Sequence, residues 1–187
     1  MKWIEAASAS PRGRFTGVIY LLYFLVAISA QVLGQHNLSA FSTATNVISF
    51  VLYLTLAFLF FFLFRPVNRL ISLIAAIFSA VGCVIGAIGL FSTVAGQISP
   101  LWFFGPYCLL IGYLIFKSTF LPRILGVLMV LAGVGWLTFL SPLEKYLVLY
   151  IEILGILAEA SLMLWLIVKG VNNLRWQQEL RAMTKIP

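Results

Sequence analysis

Aspartate is absent from this 187-residue chain, histidine occurs once, as His36, and cysteine twice, as Cys83 and Cys108. A Ser/His/Asp set is therefore ruled out, and so is a site that needs two imidazoles. Both cysteines fall inside apolar runs, with no metal-ligand spacing and no disulfide framework. Each reads as a small buried hydrophobe with a free thiol. There is no Gly-rich phosphate loop. Charge is scarce as well: 9% of the residues are charged, against about a quarter in soluble domains. Among the function classes an enzyme has the least support.

What the chain has instead is apolar length. It is 63% hydrophobic with a mean hydropathy of +1.09, too little polar surface to cover a globule. A spanning helix needs about 20 apolar residues at ~1.5 Å rise each. Six runs come near that, at about 15–33, 46–64, 70–91, 101–116, 124–140 and 146–168. The expected architecture is an all-α membrane protein: a single six-transmembrane-helix bundle over 1–187, with a short amphipathic C-terminal tail. Residues 1–30 also resemble a signal peptide, with Arg12 and Arg14 ahead of an apolar stretch and small residues at Ser29 and Ala30. They are read as a retained first span. Pro11 and Gly13 are expected to interrupt any helix before the membrane, and Trp3 and Ile4 to dip into the interface.

The basic residues set the orientation. With six spans, Lys2, Arg12, Arg14, Arg65, Arg69, Lys117, Arg123, Lys169, Arg175, Arg181 and Lys185 fall on one side and Lys145 alone on the other. By the positive-inside rule both termini are cytoplasmic. The net charge of +7 is spread thinly between apolar runs, which suits lipid headgroups and not nucleic acid. The tail carries Trp176, Leu180 and Met183 at helical spacing with Arg175, Arg181 and Lys185 between them, the pattern of a helix on an anionic surface.

Several local features frame the helices. Arg65-Pro66-Val67-Asn68-Arg69 reads as a tight hairpin whose proline pre-sets the turn. Pro122 and Arg123 repeat the arrangement, with Ser118 or Thr119 available to cap the next helix. Pro106 implies a kink or a late helix start. Small residues at Gly82, Gly86 and Gly89, and at Gly126, Gly133 and Gly135, allow close helix packing. The block Phe58, Phe60, Phe61, Phe62 and Phe64 faces lipid or packs a neighbouring helix.

The residues with chemistry lie in the last span, YLVLYIEILGILAEASLMLWLIV. Glu159 stands ten residues before Lys169, about 15 Å from the edge and near the bilayer midplane. An acid at that depth is neutral, paired or facing water, and intramembrane acids are functional candidates by default. Glu152 lies two turns earlier on the same face. His36, in the polar loop 34–45, is the one candidate axial ligand for a pigment or haem.

The string LWFFGPYCLLIGYLIFKSTFLPRILGVLMVLAGVGWL resembles an uncharacterised bacterial integral membrane family, domain of unknown function 4386. GVIYLLYFLVAISA, FRPVNR and AEASLMLWLIVKGVN agree with it in the right order. The resemblance implies six helices and the bacterial inner membrane, and no activity. It places the family's acid on Glu159 and its hairpin Pro-Arg on Pro122 and Arg123. After FFG this chain has Pro106 and Tyr107 where the family pattern has a small apolar residue and a histidine.

Two functional readings follow. The first is a non-catalytic accessory or binding subunit that packs against other membrane components. The second is a small proton-coupled carrier, or a protein that binds a lipophile, using Glu159. Partners are the lipid bilayer and other membrane subunits. No resident cofactor is expected, though a lipid, quinone or pigment could bind.

Overall fold

The computed structural model describes residues 11–36, 38–92, 99–141 and 144–184. The expectations for Trp3, Ile4, Lys2, Lys185 and the Lys145 side chain lie outside the described residues, as does most of the loop after the third span. Over the described residues the chain forms α1 (Pro11–Gln35), α2 (Ser39–Phe64), α3 (Arg69–Gly89), α4 (Leu101–Lys117), α5 (Arg123–Leu137), α6 (Glu144–Val168) and α7 (Asn173–Thr184). A 3₁₀ turn, Thr138–Leu140, extends α5. Five of these helices are long and apolar enough to cross a membrane, and α4 is a shorter apolar helix. Its 17 residues measure about 26 Å, against a hydrocarbon core of about 30 Å.

The helices start earlier than the apolar runs. Pro11 opens α1 instead of breaking it, because a first-turn residue needs no amide hydrogen. Gly13 stays helical because the chain passes close by: a Cβ there would sit 2.7 Å from Val171 Cγ2. α2 begins at Ser39, not near Asn46. The polar residues of that turn are satisfied by carbonyls, not water. Thr45 Oγ1 donates to Phe41 O at 2.7 Å and Asn46 Nδ2 to Ser42 O at 3.0 Å. Ser42 Oγ reaches across to Ala30 O of α1 at 2.9 Å.

Two local expectations are corrected. α4 starts at Leu101 and carries Pro106 inside it, so the late start does not occur. Neither Ser118 nor Thr119 caps α5, whose N-cap position is Pro122. Ser118 Oγ instead donates to Ile115 O at 2.8 Å, closing α4, and Thr119 binds Glu179 of α7. The Arg65–Arg69 hairpin forms as read, with the Asn68 side chain accepting from Ile71 N at 3.0 Å to cap α3.

Consecutive helices pack as neighbours from α1 to α6, and α6 returns against α1, so six helices make a closed ring. The closure is tight at Gly17, where a Cβ would meet Ile167 N at 2.7 Å. Gly112 and Gly126 bring α4 and α5 equally close; a Cβ on either would lie 2.8 Å from the other's carbonyl oxygen. Outward faces are apolar, as lipid contact requires. The phenylalanine block divides accordingly: Phe60 and Phe64 are buried, while Phe58 and Phe62 face outward.

At the end where Arg12, Arg65, Arg69 and Lys117 gather, α7 folds back beneath the bundle. α6 ends at Gly170, in the left-handed conformation (φ 64°), and its amide donates to Trp165 O at 3.0 Å. The Asn172 side chain then accepts from Arg175 N at 3.2 Å and starts α7. The apolar face of α7 turns to protein and not to a lipid surface. Trp176 is buried, and its Nε1 donates to Leu63 O, a carbonyl orphaned at the end of α2, at 2.9 Å. Arg175 and Glu179 tie α7 to Thr119 of the α4–α5 hairpin.

Candidate functional site

Glu159 lies inside the ring, 9% exposed. Two of its helical neighbours, Ala158 and Leu162, are fully buried, so the face of α6 that carries the acid is the inward one. Around it stand Tyr20 and Tyr23 of α1, Tyr53 of α2, and Tyr107 and Cys108 of α4, all close enough to feel the charge of its carboxyl. The rings interlock. Tyr23 and Tyr53 have centroids 4.6 Å apart, Tyr53 and Tyr107 6.0 Å, and Tyr20 and Tyr23 6.2 Å. The Tyr23–Tyr53 and Tyr53–Tyr107 contacts are edge-to-face and the Tyr20–Tyr23 contact is tilted, and together they hold each ring in place.

The Tyr20 and Tyr53 hydroxyls lie beside the Glu159 carboxyl. Neither reaches the geometry of a formed hydrogen bond, and both are buried with no other partner. The Glu159 carboxyl is the polar group beside both hydroxyls, and the Tyr107 hydroxyl is a second one beside Tyr53. A buried hydroxyl left without a partner is costly, so these groups are committed to the acid or to something placed beside it.

A cavity of about 450 Å³ leads to this point from the end opposite the basic one. Glu159 and Gly155 of α6 form part of its wall, with Tyr23, Phe24, Phe50, Phe104 and Trp136 supplying rings. Gln31, Asn46 and Ser49 give it a polar side. The Trp136 indole N–H is buried with no hydrogen-bond partner. The site thus combines a carboxyl, unused N–H and O–H donors, and an aromatic enclosure. That chemistry suits a lipophilic molecule with one polar end.

The other residues singled out from the sequence lie elsewhere. Glu152 is exposed and does not line this cavity. Tyr107 is fully buried at the centre. His36 is exposed in the turn that ends α1. Among the described residues no group of three or more His, Cys, Asp or Glu side chains could hold a metal ion. Cys83 and Cys108 are buried free thiols. Arg65 lies over the Phe62 ring at 5.0 Å and Arg123 over Phe116 at 5.5 Å; Arg69 is exposed and Pro122 half-buried. Sequence reasoning missed Gln31, Asn46 and Trp136 as cavity residues. Asn46 and Gln31, two uncharged polar residues at the ends of adjoining apolar runs, were the available signal.

Residues 95–170 match the family described as Domain of unknown function (DUF4386). That segment contains Tyr107, Trp136 and Glu159, whereas Tyr20, Tyr23 and Tyr53 lie outside it. An uncharacterized protein of Archaeoglobus fulgidus is 31% identical over 128 residues, covering 64% of this chain and 78% of that protein. No solved structure matches.

Proposed function

The chain belongs to the DUF4386 family, and from that premise we propose that it is a membrane-embedded binding protein for a lipophilic ring compound with one polar end. The observation that carries this is the cavity of about 450 Å³ ending at the Glu159 carboxyl. Ligand sites fall in the range of about 300–1,000 Å³, mostly apolar, with a few convergent polar groups. The ligand's polar end sits against Glu159, Trp136 and Tyr23, and its ring lies among Phe24, Phe50 and Phe104. A quinone is the type that fits both features.

In this reading α4 is the sixth span, accommodated by local thinning of the bilayer. The basic end faces the cytoplasm of a bacterial inner membrane, so the cavity opens toward the outer leaflet. The exposed apolar faces of the ring accept acyl chains and a neighbouring subunit alike, so they lend no particular weight to an accessory role.

The test is calorimetric titration of the detergent-solubilised protein with a short-chain quinone. Saturable binding is expected, weakened by Glu159→Leu and abolished by Ala27→Trp, which fills the cavity beside Tyr23. Binding that survives Ala27→Trp unchanged would refute the proposal. Proton-linked flux in vesicles that disappears with Glu159→Gln, in a folded protein, would make the site that of a carrier.

A further inference from the structure

A second site lies at the basic end and shares no residue with the cavity at Glu159. Arg12 of α1 and Arg65 at the end of α2 both line a groove of about 490 Å³ between α1, α2 and α7. The remaining lining is Thr16, Trp176 and an apolar wall of Phe15, Phe58, Leu59, Phe62 and Leu63. No acid lines it. Neither guanidinium swings freely. Arg12 is held over the Trp176 ring at 5.3 Å, and Arg65 over Phe62 at 5.0 Å. The Trp176 Nε1, used on Leu63 O, fixes that indole in turn. Arg65 Nε is buried with no hydrogen-bond partner.

Two like charges brought to one groove, with no carboxylate among its described residues, suit an anion. The fork geometry of arginine suits a phosphate, which takes several N–H donors at once. The wall decides what carries that phosphate. Phe15 and Phe58 are 55% and 62% exposed and run from the guanidinium groups along the lipid-facing side of α1 and α2. A soluble anion has no use for such a wall; an acyl chain does. Basic pockets between transmembrane helices are where anionic headgroups lodge. We propose that this groove is a specific site for one anionic phospholipid, its phosphate held by Arg12 and Arg65 and an acyl chain lying along Phe15, Phe58 and Phe62.

The neighbouring groove on the far side of Arg65 is a poorer candidate. It is lined by Arg69 and Lys117 but also by Glu179, whose carboxylate would repel an anionic headgroup. The lipid site therefore belongs on the α1 side of Arg65.

The experiment is native mass spectrometry of the full chain after equilibration in mixed micelles of phosphatidylglycerol and phosphatidylcholine in equal amounts. One bound phosphatidylglycerol is expected, preferred about 30-fold over phosphatidylcholine. Arg12→Gln and Arg65→Gln should each lower that preference about fivefold, and together remove it. Lys169→Gln, at an exposed basic residue outside the groove, should leave it unchanged. Phe58→Ala removes the acyl wall and no charge, so it should weaken retention of both lipids while keeping their ratio. That variant tests the site even where an arginine variant folds poorly. Equal retention of both lipids by the unaltered chain would overturn the proposal, as would equal losses from Lys169→Gln and Arg65→Gln. Displacement of the lipid by millimolar inorganic phosphate would also overturn it, since the ligand would then be a soluble anion.

Discussion

Replacing Glu159 by leucine removes the carboxyl beside the Tyr20 and Tyr53 hydroxyls. Both hydroxyls are buried and make no formed hydrogen bond; Tyr53 has the Tyr107 hydroxyl beside it as well, so Tyr20 is the one with less to fall back on. An interhelical hydrogen bond in a membrane protein averages about 0.6 kcal/mol and reaches about 1.7 kcal/mol. Two such bonds put the cost of Glu159→Leu at about 1–3 kcal/mol, partly offset by the more favourable burial of leucine. Glu159→Gln retains a carbonyl acceptor and should cost less than half as much. The decisive measurement is a double-mutant cycle in which unfolding in detergent is followed by circular dichroism. Tyr53→Phe should cost about 0.6–1.7 kcal/mol in the parent chain and close to nothing when Glu159 is already leucine, and Tyr20→Phe should behave alike. Coupling energies below about 0.3 kcal/mol for both pairs would refute the assignment. The acid would then be a polar residue that neither α1 nor α2 depends on.

Trp176→Phe keeps the packing of α7 but leaves Leu63 O unsatisfied at the end of α2. It should destabilise by about 1–3 kcal/mol and make the tail more sensitive to limited proteolysis. Gly17→Leu forces a side chain against the backbone of Ile167 and Leu166, which cannot yield as a flexible side chain can. It should cost at least about 1–3 kcal/mol in thermal unfolding, whereas Val18→Leu, on the exposed side of α1, should cost almost nothing. Reporter fusions after residue 187 and in the short connection between α1 and α2 should report opposite sides of the membrane. A same-side result would remove the six-span, cytoplasmic-termini arrangement.

The helices were legible because the signal for them is one-dimensional. An apolar run about 20 residues long, ended by arginine and proline at Arg65-Pro66 or Pro122-Arg123, declares itself without reference to any neighbour. Helix ends were less legible. Hydropathy assigns Ser39 to Thr45 to a loop, yet Ser42, Thr45 and Asn46 bond to helix carbonyls and extend α2. Polar side chains that satisfy themselves on the backbone look the same in sequence as those that seek water.

Glu159 was visible as an anomaly, since a carboxyl amid apolar residues near the middle of a span stands out in any composition. Its surroundings were not. Seven residues separate Glu152 from Glu159, which places them on one helix face, and only the ring of helices makes one exposed and the other buried. The glycines were legible only in part. Gly86, Gly126 and Gly133, singled out by spacing, do meet a neighbouring helix at under 3 Å, but Gly17 and Gly112, which meet backbone as closely, carried no such signal.

The sequence by itself determined that the protein is all-helical, apolar enough for a membrane, basic between its hydrophobic runs and provided with an acid in its last long one. These are properties of residues taken singly or in short windows, and local physics reads them directly. The tertiary structure alone decided that α6 closes against α1. That closure brings Glu159 to Tyr20, Tyr53 and Tyr107 from three other helices, and the packing of α1 on α2 brings Arg12 and Arg65 to one groove. The distances in sequence are long, and which helix faces which depends on close backbone approach and ring packing summed over the whole bundle. No window of the chain contains that sum.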